Sequence, residues 1–310
     1  MSLQLSNVAN LCKKEPYFVY PWGTNPSYGF AAVYSGFIKS LTLCIKKGVG
    51  YRFVRVSNPR GIVLENGYND FFLPVCDEVS GFFLRQFNRD PLPFQAKLPF
   101  IKDVVSALLR QTTTSSAQYF LFSSKLSHLP DVSLPQTLEM YKYDDFILRA
   151  ELANALWKFR PDIDASIKRI ITSLVGFDIS SDFCAAVIRR GDKILESNYA
   201  QLDLYVDSIS SFVGKNAPVF IASDDIGAIY ELERRLPGYQ CFYLHPYFKR
   251  GYSNRAFHAM TVDLRKDALL RFLAQVEILK AARSFFATRT TNVSYLVNTL
   301  RRGRRVHWVD

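Results

Sequence analysis

The 310-residue sequence contains no Gly-x-x-x-x-Gly-Lys-Ser/Thr loop, no Gly-x-Gly-x-x-Gly and no Gly-x-Ser-x-Gly, which removes the commonest kinase, dehydrogenase and hydrolase signatures. Histidine is scarce. The four present (His128, His245, His258 and His307) have no metal-ligand spacing, which disfavours a zinc hydrolase. The five cysteines are odd in number, scattered and free of any Cys-x-x-Cys, so neither a disulfide framework nor a zinc site is indicated, and buried thiols in a reducing, cytoplasmic compartment are expected. No apolar run approaches the roughly 18 residues of a membrane span. The opening residues Met1-Ser-Leu-Gln-Leu-Ser-Asn7 lack the charged and apolar regions of a secretory signal, and the expectation is a soluble chain. Acidic residues are also short: 28 Asp and Glu stand against 39 Lys and Arg, giving a formal charge of +11. Such a surface attracts phosphates, whether of nucleic acid, membrane or nucleotide.

What is present reads as a folded α/β protein. Hydrophobic residues make up 48% and aromatics 15% of the chain, with 25 Phe and 17 Tyr, and the length implies two domains. From Ser181 to Asp310, short β-rich runs alternate with helical ones. Strands are predicted at 183–188, 218–222, 241–244, 284–287 and 306–309, and helices at 199–212, 227–235, 263–282 and 292–300. Alternation of this kind implies βαβ units and a parallel sheet, in which ligands bind at the carboxyl ends of the strands. Upstream, 17–20 and 51–56 read as strands, and 28–47, 146–159 and 164–174 as helices, with Pro161 as a break. Residues 66–134 give mixed signals. The boundary is placed near Arg160 to Asp182 and taken at 170/171, between an N-terminal domain of residues 1–170 and a C-terminal domain of residues 171–310.

Three segments at predicted strand ends could carry chemistry. Val187-Ile-Arg-Arg-Gly-Asp-Lys193 sets two guanidinium groups, a carboxylate and an ammonium after a buried strand. Arginine's planar fork suits phosphate oxygens, although the same residues would also make a salt-bridged surface turn. Phe220-Ile-Ala-Ser-Asp-Asp225 ends in two carboxylates that either cap the next helix or orient the arginines. Ala287-Thr-Arg-Thr-Thr-Asn-Val-Ser294 is a hydroxyl-rich turn into a helix, a phosphate cradle or a plain threonine cap. Gly29, at a loop-to-helix junction, either admits a ligand close to the backbone or simply starts the helix. Asp162-Ile-Asp164 has the look of a metal motif, but acidic residues belong in a first helical turn for dipole reasons. Arg301-Arg-Gly-Arg-Arg305 reads either as a solvated turn or as a nucleic-acid patch.

In this order and spacing, the three segments resemble the peptide motifs shared by α1,6-fucosyltransferases, bacterial nodulation fucosyltransferases and, more distantly, protein O-fucosyltransferases. The first resembles His-Val-Arg-Arg-x-Asp-Lys, and the third extends over Phe272 to Val293. Leu156-Trp-Lys-Phe-Arg-Pro-Asp162 is similar to the segment that leads into the first motif, and Tyr28-Gly-Phe30 to an N-terminal glycine loop. The resemblance covers about Ala150 to Leu300.

This resemblance implies a GT-B fold: two Rossmann-like domains facing a central cleft, with the acceptor on the N-terminal side and the GDP-sugar on the C-terminal side. It implies an inverting transferase that moves L-fucose from GDP-fucose to a hydroxyl of an oligosaccharide or glycoconjugate, with no metal and no other cofactor. Arg189 falls on the essential diphosphate-binding arginine, and Arg190, Asp192 and Lys193 on its neighbours. Thr288, Thr290, Thr291 and Asn292 fall on the phosphate turn, and Asp224 and Asp225 on the acidic pair. Gln275 or Glu277 stands near a guanine-reading position, and Val187 replaces a histidine. The proposed base of the core enzymes aligns with Ser197, so Glu196 is the first candidate base and Asp192 the second. A GT-B transferase using another nucleotide sugar, and a basic nucleic-acid-binding module, are the alternatives.

Overall fold

The computed structural model describes residues 3–14, 17–20, 22, 29–54, 61–79, 119–120, 129–134, 138–139, 144–192, 199–248 and 250–310. The chain divides into two compact units, Met1–Arg160 and Pro161–Asp310.

In the first unit, strands β1 (Tyr17–Tyr20), β2 (Gly50–Val54), β3 (Glu78–Val79) and β4 (Tyr119–Phe120) form a parallel sheet in the order β3-β2-β1-β4. The described helices are α1 (Leu5–Cys12), α2 (Phe30–Lys46) and α3 (Asp145–Leu156). The aromatic surplus is concentrated here. Trp22 is 1% exposed and meets Tyr68 edge-on at 5.2 Å, and Tyr34 meets Trp157 edge-on at 4.8 Å. Rings pack edge to face because the positive edge of one faces the negative face of the next. The buried phenols of Tyr34 and Tyr68 still find acceptors, donating to the carbonyls of Ala153 and Leu156, as buried polar groups must.

Helix α3 stops at Leu156 rather than continuing to 159. Residues beyond it pair as extended chain instead: Leu73 N–H donates to Lys158 O, Arg160 N–H donates to Phe71 O, and Phe72 bridges Phe159.

The second unit holds a five-stranded, all-parallel sheet in the order β7-β6-β5-β8-β9. Its strands are β5 (Cys184–Ile188), β6 (Pro218–Ser223), β7 (Gln240–Phe242), β8 (Ser284–Ala287) and β9 (Val306–Trp308). Helices α4 (Pro161–Thr172), α5 (Leu202–Phe212), α6 (Ile226–Arg235), α7 (Asn254–His258), α8 (Val262–Ala281) and α9 (Asn292–Leu300) connect and flank them. Strand β5 is buried along its whole length. Cys184, Ala186 and Ile188 join one core cluster with Tyr205 and Ile209 of α5 and Ile229 and Leu232 of α6, and α8 packs against β5 and β6. The uninterrupted apolar run is thus what a strand covered on both faces requires.

Pro161 does not break a helix but begins one, at the position where a missing N–H costs nothing. The 170/171 boundary expected from sequence would cut that helix, α4, whose buried Ile163, Ile167 and Ile171 side chains form the face that packs with α8 of the second unit. Asp162 and Asp164 lie in its first turn, where Asp164 pairs with Lys168 at 2.7 Å.

The Arg301–Arg305 turn is not uniformly solvated. Arg301 is 8% exposed and donates to the carbonyls of Leu279, Lys280, Ala282, Arg283 and Arg304. It thereby collects the orphan carbonyls at the end of α8. Burial draws its pKa down to about 10, which leaves it charged at neutral pH. The nucleic-acid reading loses the first cation of its patch to this role. No helix among the described residues is long and apolar enough to cross a membrane.

Candidate functional site

The strand order of the second unit fixes where a ligand belongs. Chain direction reverses its progress across the sheet between β5 and β8, and in parallel α/β sheets the crevice at that switch point, beyond the carboxyl ends, takes the ligand. Arg189 follows β5 directly, Asp224 follows β6, and Thr288 follows β8. Three segments distant in sequence therefore converge because the topology carries each to the same edge.

Arg189 is held from several sides. Its Nη2 donates to Asp192 Oδ1 at 3.0 Å, its Nη1 pairs with Asp224 Oδ2, and its guanidinium carbon lies 5.0 Å from the centroid of the Tyr252 ring. The side chain is 19% exposed, so it is sheltered yet reachable. Asp224 organises the centre: its Oδ1 accepts the Arg190 N–H at 2.8 Å, and its Oδ2 accepts the Tyr252 N–H at 2.8 Å. Of the two readings of the acidic pair, each residue takes one. Asp225 caps α6, accepting the N–H groups of Gly227 and Ala228 at 2.7 and 3.4 Å, while Asp224 orients the arginines.

Arg190 turns elsewhere, stacking on Tyr199 at 4.7 Å and donating to Ala200 O at 3.2 Å. Asp192 accepts from Arg189 on one oxygen and from the Asn254 N–H at 3.4 Å on the other. That engagement suits a counter-ion better than a base. Lys193 and Glu196 lie outside the described residues.

One contributor was missed in the sequence. The loop that follows β7 crosses the Arg189 turn at two glycines: Gly191 has φ +61° and Gly251 φ +90°, and a Cβ on either would overlap the backbone of the other segment. Asp192 N–H donates to Tyr252 O at 3.0 Å across the crossing. In sequence this loop shows only aromatic and polar residues without periodicity, and its only clue was the glycine before Tyr252. Gly251→Ala is expected to lower the unfolding free energy by about 1–3 kcal/mol, since it forces a side chain into a left-handed conformation as well as a closed gap. Chemical denaturation of the variant reads this directly.

The hydroxyl-rich turn is partly committed to its own helix. Thr291 is the N-cap of α9, accepting the Ser294 N–H at 3.1 Å, and is buried. Thr288 is buried too, with Thr290 donating to it at 3.3 Å. The exposed groups at this helix start are Thr290, Asn292 and Arg289, whose N–H donates to the Asp310 carboxylate at 2.9 Å. The first N–H groups of α9 carry the positive end of the helix dipole.

Gln275 lies on α8. Helix α8 runs back toward the start of β5, where Arg283 N–H donates to Phe183 O, and Gln275 sits roughly 20 Å along it at the helical rise per residue. It is half-buried there. Gly29 is the N-cap of α2 with an ordinary φ of −74°, and a Cβ there would meet nothing within 4 Å. Among the described residues of the first unit, nothing demands glycine at that position. Among the described residues, no three His, Cys, Asp or Glu side chains converge as a metal site would require.

No protein-family sequence model matches the chain, and no curated protein sequence does. Solved structures do share its fold. The NodZ α1,6-fucosyltransferase of Bradyrhizobium, in crystals soaked with GDP-fucose, superposes with a TM-score of 0.52 over 93% of both chains at 12% identity. FUT1 of Arabidopsis thaliana in complex with GDP gives a TM-score of 0.52 at 9% identity, covering 97% of this chain and 73% of that one. POFUT1 in complex with GDP gives 0.50 at 12% identity, over 95% and 98% of the two chains.

Proposed function

We propose that the chain is a GT-B fucosyltransferase that moves L-fucose from GDP-fucose to a hydroxyl of a glycan acceptor, with inversion and without a metal. In this reading the first unit serves the acceptor and the second holds the donor. The observation that carries it is the placement of Arg189: a sheltered, doubly paired guanidinium directly after β5, at the switch point of a parallel sheet where the neighbouring strand β8 leads into α9. The likeness in fold to structures solved with GDP or GDP-fucose supports the choice of donor.

The chemistry follows from charge. As the bond from the fucose anomeric carbon to the β-phosphate oxygen breaks, negative charge grows on the departing GDP. A cation already fixed in a low-dielectric site stabilises that charge more than it stabilises the bound donor. Arg189 is that cation, and the N–H groups of α9 with Thr290 and Asn292 cradle the diphosphate. The acceptor oxygen attacks from the opposite face, which inverts the centre, and a carboxylate takes its proton. Glu196 is the first choice for that base, since Asp192 has both oxygens engaged. In the sequence Lys193 adds a further positive charge four residues after Arg189, and these cations supply the neutralisation a metal gives elsewhere. Five free thiols support a cytoplasmic setting.

Thermal unfolding with GDP, GDP-fucose, UDP and UDP-sugars tests the donor assignment. GDP at 100 times its Kd is expected to stabilise the protein by about 2.7 kcal/mol, with UDP giving no comparable rise. Stabilisation by another nucleotide alone would move the donor assignment to that sugar, and indifference to all of them would remove the transferase reading.

A further inference from the structure

The phenol ring of Tyr252 has no place in the chemistry described above, yet the three residues Arg189, Asp192 and Asp224 all meet this residue. Its ring lies under the Arg189 guanidinium at 5.0 Å, its N–H donates to Asp224 Oδ2 at 2.8 Å, and its carbonyl accepts the Asp192 N–H at 3.0 Å. The Asp224 carboxylate and the Asp192 main chain are thus both tied to the backbone of one residue whose ring covers the same cation. The ring is itself fixed, edge-on to Phe248 at 5.4 Å and tilted against Phe257 at 5.8 Å, and its hydroxyl donates to Asn254 Oδ1 at 3.0 Å. Behind it, the Gly191–Gly251 crossing leaves no room for the loop to slide.

We propose that Tyr252 is the positioning residue for Arg189: its ring sets the plane of the guanidinium, so that the fork paired with Asp192 and Asp224 keeps one fixed orientation toward the departing diphosphate. The physical need is specific. Two carboxylates beside one guanidinium would satisfy it completely and hold it away from a ligand, whereas a ring against one face restrains the plane while leaving N–H edges to exchange partners. Burial raises the phenol's pKa, against the opposing pull of Arg189, so the ring remains neutral at physiological pH and offers the guanidinium a face rather than a charge.

This inference rests on the transferase reading, and the experiment separates the two. Wild type, Tyr252→Phe, Tyr252→Leu and Tyr252→Met are compared for GDP affinity by calorimetry and for GDP-fucose consumption at varied donor concentration. If the wild type neither binds GDP nor consumes GDP-fucose, the functional reading fails whatever the variants do. If it does both, Tyr252→Leu and Tyr252→Met are expected to lose roughly 10-fold to 100-fold in kcat with KM changed less than about threefold, because a misdirected cation still attracts the donor but meets the transition state poorly. Tyr252→Phe, which keeps the ring, restores kcat to within about threefold of wild type. Kinetics are read on variants whose melting temperature stays near the parent's, and Met, similar in bulk but without a ring, serves where Leu unfolds. Wild-type kcat in either aliphatic variant, an equal loss in Tyr252→Phe, or a loss confined to KM would each overturn the proposal.

Discussion

Alanine in place of Arg189 is expected to lower GDP-fucose consumption by about 10²–10³-fold or more, the cost of removing a preorganised donor to a developing anion. Most of the loss falls in kcat, since the interaction strengthens as charge moves onto the leaving group. Stability changes less. Asp224 keeps the Arg190 and Tyr252 N–H groups on its two oxygens, and Asp192 keeps Asn254, so neither carboxylate is stranded. Arg189→Lys holds the charge but not the planar fork, and is expected to recover only a small part of the rate. Steady-state kinetics of the two variants decide the matter: turnover within threefold of wild type in either would detach Arg189 from the mechanism.

The largest effect on folding is expected at Arg301. Its guanidinium gathers five main-chain carbonyls from the end of α8, the entry to β8 and its own turn. Those carbonyls have no other helical partner, and unsatisfied buried acceptors cost about 1–3 kcal/mol each where water cannot reach them. Arg301→Ala is therefore expected to destabilise the second unit by about 3 kcal/mol or more, seen as a fall in melting temperature of roughly 10 °C. Arg304 and Arg305 are exposed, and their alanine variants should differ from the parent by less than about 0.5 kcal/mol. A melting temperature unchanged in Arg301→Ala would show that water replaces the guanidinium without loss.

The contrast between neighbouring arginines shows what was legible in the sequence. Strand β8 and helix α9 were read at their observed limits because a β-rich apolar run followed by helical spacing leaves few choices. Nothing local separates Arg301 from Arg304; only the return of α8 to the same corner does. The same holds at the site. The turn after β5 announces itself by its charge, whereas the Gly251–Tyr252 loop has neither period nor charge pattern, and its role exists only through contact with a segment some sixty residues earlier. Asp224 and Asp225 were inseparable as letters, and the first residue of α6 divided them into an organiser and a cap.

The crossing of Gly191 and Gly251 bears on how such a site drifts over generations. Each glycine occupies space that a methyl group on the other would need, so neither loop can acquire a side chain there while its counterpart stays put. Lengthening one loop would likewise have to be matched in the other. Related chains should therefore keep both glycines or lose both together, and a lineage in which just one has changed should have surrendered the Asp224 to Tyr252 link as well.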